Sequence, residues 1–248
     1  ADMGVNFESA GKDHMSPDGS YDVSEDIVRE VYGVEAPASF AYEFIGIRGL
    51  GAKMSGSKGN AVTPGQLMDI YETPLLLWLY FRKQPFQRFD LAFDSEILRQ
   101  YTEFDAQVEA YRAGGLSLPD AEALKLAGAG ALPEHPIPFR QAIAFGQIVQ
   151  WDVDRVAYML ESLDMHYDRA SIESRLKKAK DYLEKYHPEE VVALLSEPYM
   201  SYVSNMSHDR VGLIAKLRDV LESGENDIAK LEVLMYDIPK REGMSEEE

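Results

Sequence analysis

Apolar residues recur at helical spacing through most of the chain. Leu213, Ile214, Leu217, Val220 and Leu221 follow the i, i+3, i+4, i+7 rule of an amphipathic helix. The same spacing predicts helices over 95–112, 119–127, 138–150, 153–163, 172–186, 189–195, 210–221 and 226–236. Strand-like runs are absent beyond Phe93, so the larger, later part of the chain reads as all-helical. Its one low-complexity piece, 127–131 (Ala-Gly-Ala-Gly-Ala), reads as a flexible link between helices.

The first 94 residues follow a different pattern. A short strand is expected over 1–7, beginning so abruptly that the start looks like a cut, and a turn follows at 8–14. Residues 24–33 read as a helix: Ser24 suits the cap, Glu25 and Asp26 suit the positive end, and Gly33 suits the position just past the end. Ile27, Val28 and Val31 form its apolar face. Residues 40–47 (Phe-Ala-Tyr-Glu-Phe-Ile-Gly-Ile) form the strongest strand signal. Thr63-Pro64-Gly65-Gln66 carries the capping-box spacing with proline at the first helical position. Thr73-Pro74 opens a second helix, Leu75 to Phe81, whose apolar run predicts burial nearly all round, with Trp78 and Tyr80 in the core.

At 248 residues and 45% hydrophobic content, the chain has material for one or two domains with a substantial core. It contains no apolar run of membrane-spanning length; the longest candidate ends at Arg82 and Lys83. With no cysteine there is no disulfide framework or thiolate metal site, no metal ligand is assigned, and the usage fits a cytoplasmic protein. A net charge of −18 counts against a general nucleic-acid coat, and no membrane or DNA partner is expected. RNA contact has to be local. From Ile45 to Gln100 there are seven Lys/Arg against five Asp/Glu, a mildly basic stretch in an acidic chain.

That stretch contains the densest chemistry. Four glycines, two lysines and two serines crowd 49–60. Such a segment is neither a packed strand nor a stable helix. Glycines let peptide N–H groups converge on an anion while Lys53 and Lys58 supply charge, the make-up of a phosphate-handling loop. The spacing is not that of a P-loop; a mobile linker is the bland alternative.

Lys53-Met54-Ser55-Gly56-Ser57 followed by Lys58-Gly59-Asn60 closely resembles the KMSKS signature of class I aminoacyl-tRNA synthetases, in the form carried by class I lysyl-tRNA synthetases. Gly11-Lys12-Asp13-His14, 39 residues ahead of Lys53, resembles the Gly-Lys-Asp-His turn that precedes the signature in the same enzymes. The resemblance implies an α/β then all-α architecture: the C-terminal half of a Rossmann-like nucleotide-binding domain over 1–62, stem-contact-like connecting helices over 63–94, and a helical anticodon-binding domain, a cage or bundle, over 95–248. It implies ATP and Mg²⁺ as cofactors, and L-lysine and lysine tRNA as partners. Lys53, Ser55, Ser57 and Lys58 become the catalytic candidates, with Lys58 taking the larger part of the leaving-group charge because Gly56 stands where the general pattern has lysine. Gly11 and Asp13 would lie beside the ribose with Met54 near the nucleotide, His14 near the reacting carboxylate, and Tyr42 along the amino-acid pocket; a structural histidine is the alternative for His14. Glu43 is a candidate partner for the substrate ammonium.

The second family signature, His-Ile-Gly-His, is matched by none of the five histidines. The reading is therefore of a piece lacking that half of the active site and inactive alone. A non-catalytic tRNA-binding module, and a glutamyl-, arginyl- or cysteinyl-type enzyme, stay open. For RNA contact, Arg175, Lys177 and Lys178 are the candidate phosphate ligands, a solvated charged face being the alternative, and Phe139 and Trp151, with Arg140 and Tyr158 beside them, the candidate stacking platform, with ordinary packing the favoured alternative.

Overall fold

The computed structural model describes residues 4–48, 62–192 and 196–241. The chain divides into two compact units, Ala1–Val192 and Ala193–Glu248.

The first unit opens with two small parallel sheets. Strand β1 (Ala10–Gly11) pairs with β2 (Ala41–Tyr42), extended by a bridge between Phe7 and Ala38. Strand β3 (Ile45–Ile47) pairs with β4 (Phe89–Leu91). The expected single strand over 40–47 is thus two strands facing different partners. β4 gave no alternating run in the sequence because it is three residues long and is defined by its partner. Between β1 and β2 lies helix α1 (Ser20–Glu30). It starts at Ser20, four residues before the expected cap, with Gly19 at the N-cap and the Ser24 hydroxyl bonded back to the Ser20 carbonyl inside the helix. A Cβ on Gly19 would collide with the carbonyl oxygens of His14 and Ser16, so the tight approach fixes the start there. Gly33 does take the left-handed conformation past the helix end.

Helix α2 (Pro64–Ile70) begins on the predicted capping box: the Thr63 hydroxyl accepts from Gln66 N, and Gln66 Oε1 accepts from Thr63 N at 2.9 Å. Helix α3 (Thr73–Phe81) follows with Leu75, Trp78 and Leu79 buried. It is not buried all round, since Leu77, Tyr80 and Phe81 are exposed. Two tyrosines close the α2–α3 joint. The Tyr101 hydroxyl donates to Ile70 O at 2.9 Å and accepts from Glu72 N at 3.0 Å, satisfying a carbonyl at one helix end and an amide at the next helix start. Tyr71 lies 2.6 Å from Gln100 Oε1 and accepts from Ala92 N. Burial raises the pKa of both phenols, keeping them protonated donors.

Helices α4 (Glu96–Arg112), α5 (Leu118–Leu126), α6 (Phe139–Ile148), α7 (Val153–Ser162) and α8 (Arg169–Tyr186) complete this unit, each within a few residues of its expected span. The Ala-Gly repeat is an ordered 3₁₀ turn (Ala129–Ala131), not a flexible link, with Ala127 and Ala129 buried in the core and Gly128 at φ +85°. Residues 189–190, expected to open a helix, end a 3₁₀ turn (Pro188–Glu190).

α8 is the central element. Its buried positions Ile172, Arg175, Leu176, Ala179, Tyr182 and Leu183 repeat at helical spacing, and it packs on α2, α6 and α7. Arg175, 3% exposed, bonds Asp105 through both terminal nitrogens at 2.7 and 2.6 Å, Glu72 at 3.0 Å and Ile137 O at 2.8 Å. Because α2 and α3 share this core with α4 to α8, the sequence division at 94/95 does not coincide with a packing boundary.

The second unit holds α9 (Met200–Val203), α10 (His208–Glu222) and α11 (Ile228–Arg241), with α10 packed on α11. Ser207 caps α10 through Arg210 N. Of the predicted stripe, Leu213, Leu217 and Val220 are half-buried, while Ile214 and Leu221 remain exposed.

Arg175→Ala strands two carboxylates in the core, and a loss of about 3–5 kcal/mol in urea unfolding is expected. Thr63→Ala removes half the capping box, with an expected loss of about 1 kcal/mol. An Arg175 variant as stable as wild type would contradict the central place given to this ion pair.

Candidate active site

β1 and β2 run parallel in the register Ala10↔Ala41 and Gly11↔Tyr42, so their carboxyl ends emerge at one edge. In open parallel sheets that edge is where ligands sit. It brings the Gly11-Lys12-Asp13-His14 turn beside Tyr42, Glu43 and Phe44, 31 residues away in sequence. Lys12 N donates to Tyr42 O at 3.0 Å, and His14 N closes the turn on Gly11 O at 2.9 Å. Gly11 is buried, and the space a side chain would take there is bounded by the rings of His14, Tyr42 and Phe44 at 3.8–3.9 Å. The His14 ring is exposed, with Nδ1 2.8 Å from the Ser20 hydroxyl at the first residue of α1. Tyr42 is 44% exposed, leaving its ring open to a ligand.

Lys12 Nζ donates to Glu43 Oε1 at 2.5 Å and stands 5.7 Å from the Phe44 ring centre, while Phe44 N donates to Glu43 Oε2 at 3.1 Å. The Lys12 hydrogen bond, then the Phe44 amide, hold the Glu43 carboxyl below the ordinary 4.5. Glu43, the candidate ammonium partner, therefore already carries an ammonium from within the turn. Lys12, Ser20 and Phe44 had no assigned role in the sequence reading. The parallel register was the missing information, because it sets opposite charges one residue beyond paired positions.

Lys53, Met54, Ser55, Ser57 and Lys58 lie outside the described residues. What is described is the frame around them: β3 leads in, with Arg48 N bonded to Leu91 O, and the Thr63 cap of α2 follows. The three rings around Gly11 and the exposed Asp13 are the groups that this edge offers a nucleotide. For Mg²⁺, Asp13 and Glu43 are carboxylates of this edge, and Glu43 is already engaged by Lys12. Two clefts, of about 360 Å³ beside α1 and about 510 Å³ near His135 and His166, are not lined by Gly11, His14 or Tyr42.

The RNA-contact candidates separate. Arg175 and Phe139 are corrected: Arg175 is buried on Glu72 and Asp105, and Phe139, 2% exposed, stacks on Tyr101 with ring centres 4.0 Å apart and planes 2° from parallel. A buried ion pair and a buried stacked ring have no face left for RNA. Periodicity placed both on helices but could not say which way they turned. The Trp151 ring is half-buried over Gly146, where no side chain could fit beneath it. Lys178 is half-buried with Nζ on Met68 O at 2.6 Å, at the carbonyl end of α2; burial, and then neighbouring Lys177, lower its pKa against the pull of Glu72. Lys177 is exposed, as are Arg140 and Tyr158.

A parallel-sheet edge carrying a Gly-Lys-Asp-His turn is followed in the sequence by a lysine- and glycine-rich segment and then by a capped helix, so a small α/β part is joined to helices. A family model described as tRNA synthetases class I (K) matches residues 1–126. The chain belongs to this family of class I tRNA synthetases. Similar curated proteins include the lysine–tRNA ligase of Pyrococcus furiosus, 33% identical over 97% of this chain and 48% of its own length. That of Pyrococcus horikoshii is 31% identical over 99% of this chain and 49% of its length. That of Streptomyces coelicolor is 40% identical over 75% of this chain and 33% of its length. The chain thus spans about half the length of the Pyrococcus relatives or less of the third. Among the described residues no helix is long and apolar enough to cross a membrane.

The Glu43 shift has a pH signature. A carboxyl whose folded pKa is depressed contributes stability above its unfolded value and loses it as pH falls through the folded value. In a carboxyl-detected NMR titration, Glu43 should titrate below 4.5 and Lys12→Met should return it toward the ordinary range. An unchanged Glu43 titration in that variant would show that the ion pair does not form.

Proposed function

We propose that this chain supplies the signature-loop half of an enzyme that attaches lysine to lysine tRNA through lysyl-adenylate, using ATP and Mg²⁺. Residues 1–62 would be the C-terminal half of a Rossmann-like domain, 63–94 connecting helices and 95–248 the tRNA-binding part. One observation carries this reading: the turn at 11–14 and Tyr42 share one sheet edge upstream of the lysine signature at 53–58. The family match and the names of the relatives support it.

In activation, a carboxylate oxygen of lysine attacks the α-phosphorus of ATP. A new P–O bond forms to the carboxylate, the bond to the bridging oxygen breaks, and pyrophosphate leaves with the electron pair. Charge grows on the leaving group, so cations over it lower the barrier by positioning and electrostatics. Lys53 and Lys58 fill that role, with Ser55, Ser57 and Met54 shaping the loop. Gly11 and Asp13 hold the ribose, while His14 and Tyr42 hold the amino acid. Magnesium, when bound with the nucleotide, offsets phosphate charge. Lys177 is the remaining α8 candidate for tRNA phosphate. The histidine signature of class I enzymes is absent from this sequence, so the chain by itself is expected to be inactive.

Lysine-dependent ATP–pyrophosphate exchange tests the reading. The 248-residue chain alone should give none, and a protein combining it with a segment bearing the histidine signature should turn over. In that protein Lys53→Ala and Lys58→Ala should each lower kcat by roughly 10²–10³-fold, the cost of one lost charge-stabilising donor, with little change in KM for lysine. Normal kcat in both variants would remove the loop from the chemistry.

A further inference from the structure

α8 ends at Tyr186, His187 caps it, and the 3₁₀ turn Pro188–Glu190 follows. His187 Nε2 lies 2.7 Å from Phe93 O. A carbonyl only accepts, so Nε2 carries a proton, and in the neutral tautomer that this selects the lone pair is on Nδ1. The ring also packs against Tyr182, with centres 4.6 Å apart. Nδ1 is thereby aimed at Glu189 Oε1 at 3.5 Å and Glu190 Oε1 at 3.8 Å. The three ligand atoms lie within 4.8 Å of one another.

Two further features call for positive charge there. The carbonyl end of an 18-residue helix carries a partial negative charge, and both carboxylates follow directly on it, the unfavourable end for acids. Lys185, in the last turn, is committed to Asp69 at 2.9 Å and Asp181 at 3.0 Å, and Arg48 to Asp94 and Glu96. The spacing suits a metal: ligand bonds of about 2.1 Å in a tetrahedral shell place ligand atoms about 3.4 Å apart. A histidine whose other nitrogen is fixed by a backbone carbonyl is the usual support for a metal ligand.

We propose that His187, Glu189 and Glu190 hold one divalent ion of the zinc or manganese class, with water completing the shell. One imidazole and two carboxylates suit such borderline ions. His187 is 17% exposed and the two glutamates 69% and 63%, so the ion enters from solvent onto a half-buried anchor. It would pin the 3₁₀ turn to the end of α8 and, through His187, to Phe93 beyond β4.

The test needs no catalysis. The 248-residue chain is titrated with Zn²⁺ alone by calorimetry at slightly alkaline pH, and Tm is read with and without the ion. One ion per chain and a Tm rise reversed by chelator are expected. His187→Ala, and the double variant Glu189→Gln/Glu190→Gln, should each weaken binding at least about tenfold. His166→Ala, whose ring pairs with Asp164, should leave binding unchanged. Should His187→Ala fail to fold, the double glutamine variant decides, because its side chains lie on the exposed side. Zinc affinity that survives the double variant, or no stoichiometric binding by the folded wild-type chain, overturns the site.

Discussion

The buried guanidinium of Arg175 is the constraint on which the first unit depends. Removing a cation from water costs several kcal/mol, recovered only with close, multiple partners. Arg175 has them on three elements: Glu72 at the start of α3, Asp105 on α4, and Ile137 O ahead of α6. Its Cζ also lies 5.2 Å from the centre of the Tyr101 ring, whose hydroxyl closes the α2–α3 joint. Burial works against the charge, but the Asp105 hydrogen bonds and the fields of Glu72 and Asp105 outweigh it and raise its pKa. An apolar contact there would tolerate sliding. A forked ion pair does not, so the angle at which α8 crosses α2 to α4 is tightly specified.

How much could be read in advance follows from which interactions are local. The Thr63 capping box, helices α4 to α8, α10 and α11, and the left-handed Gly33 each rest on residues within a turn of one another, and they stood close to where periodicity and turn chemistry put them, whereas α9 gave no such signal and the helix expected from 189 is a 3₁₀ turn. The start of α1 was misplaced because Ser24 and Gly19 both suit a cap, and the choice was made by contact with the carbonyls of His14 and Ser16. The strand over 40–47 was legible as extended chain, but its break between Tyr42 and Ile45 depends on partners at 10–11 and 89–91.

The same limit applied to the site. The turn at 11–14 and Tyr42 could be named from letters, whereas the pairing of Lys12 with Glu43 could not, since it exists only in the parallel register. Direction of side chains was likewise hidden. On α8, Arg175 and Lys177 are two residues apart, yet one sits in the core and the other in solvent, because positions two apart on a helix do not share a face. A count of positive charge along that helix is therefore a poor guide to what faces a polyanion.

α8 also has a mechanical meaning. Eighteen residues at 1.5 Å rise make a strut of about 27 Å. At its middle Lys178 holds the last turn of α2 at Met68, and toward its far end Lys185 holds Asp69 and the cap residue His187 holds Phe93. One helix thus touches both ends of the segment 68–93, so any change in where its axis lies has to be matched at Met68, Asp69 and Phe93 together.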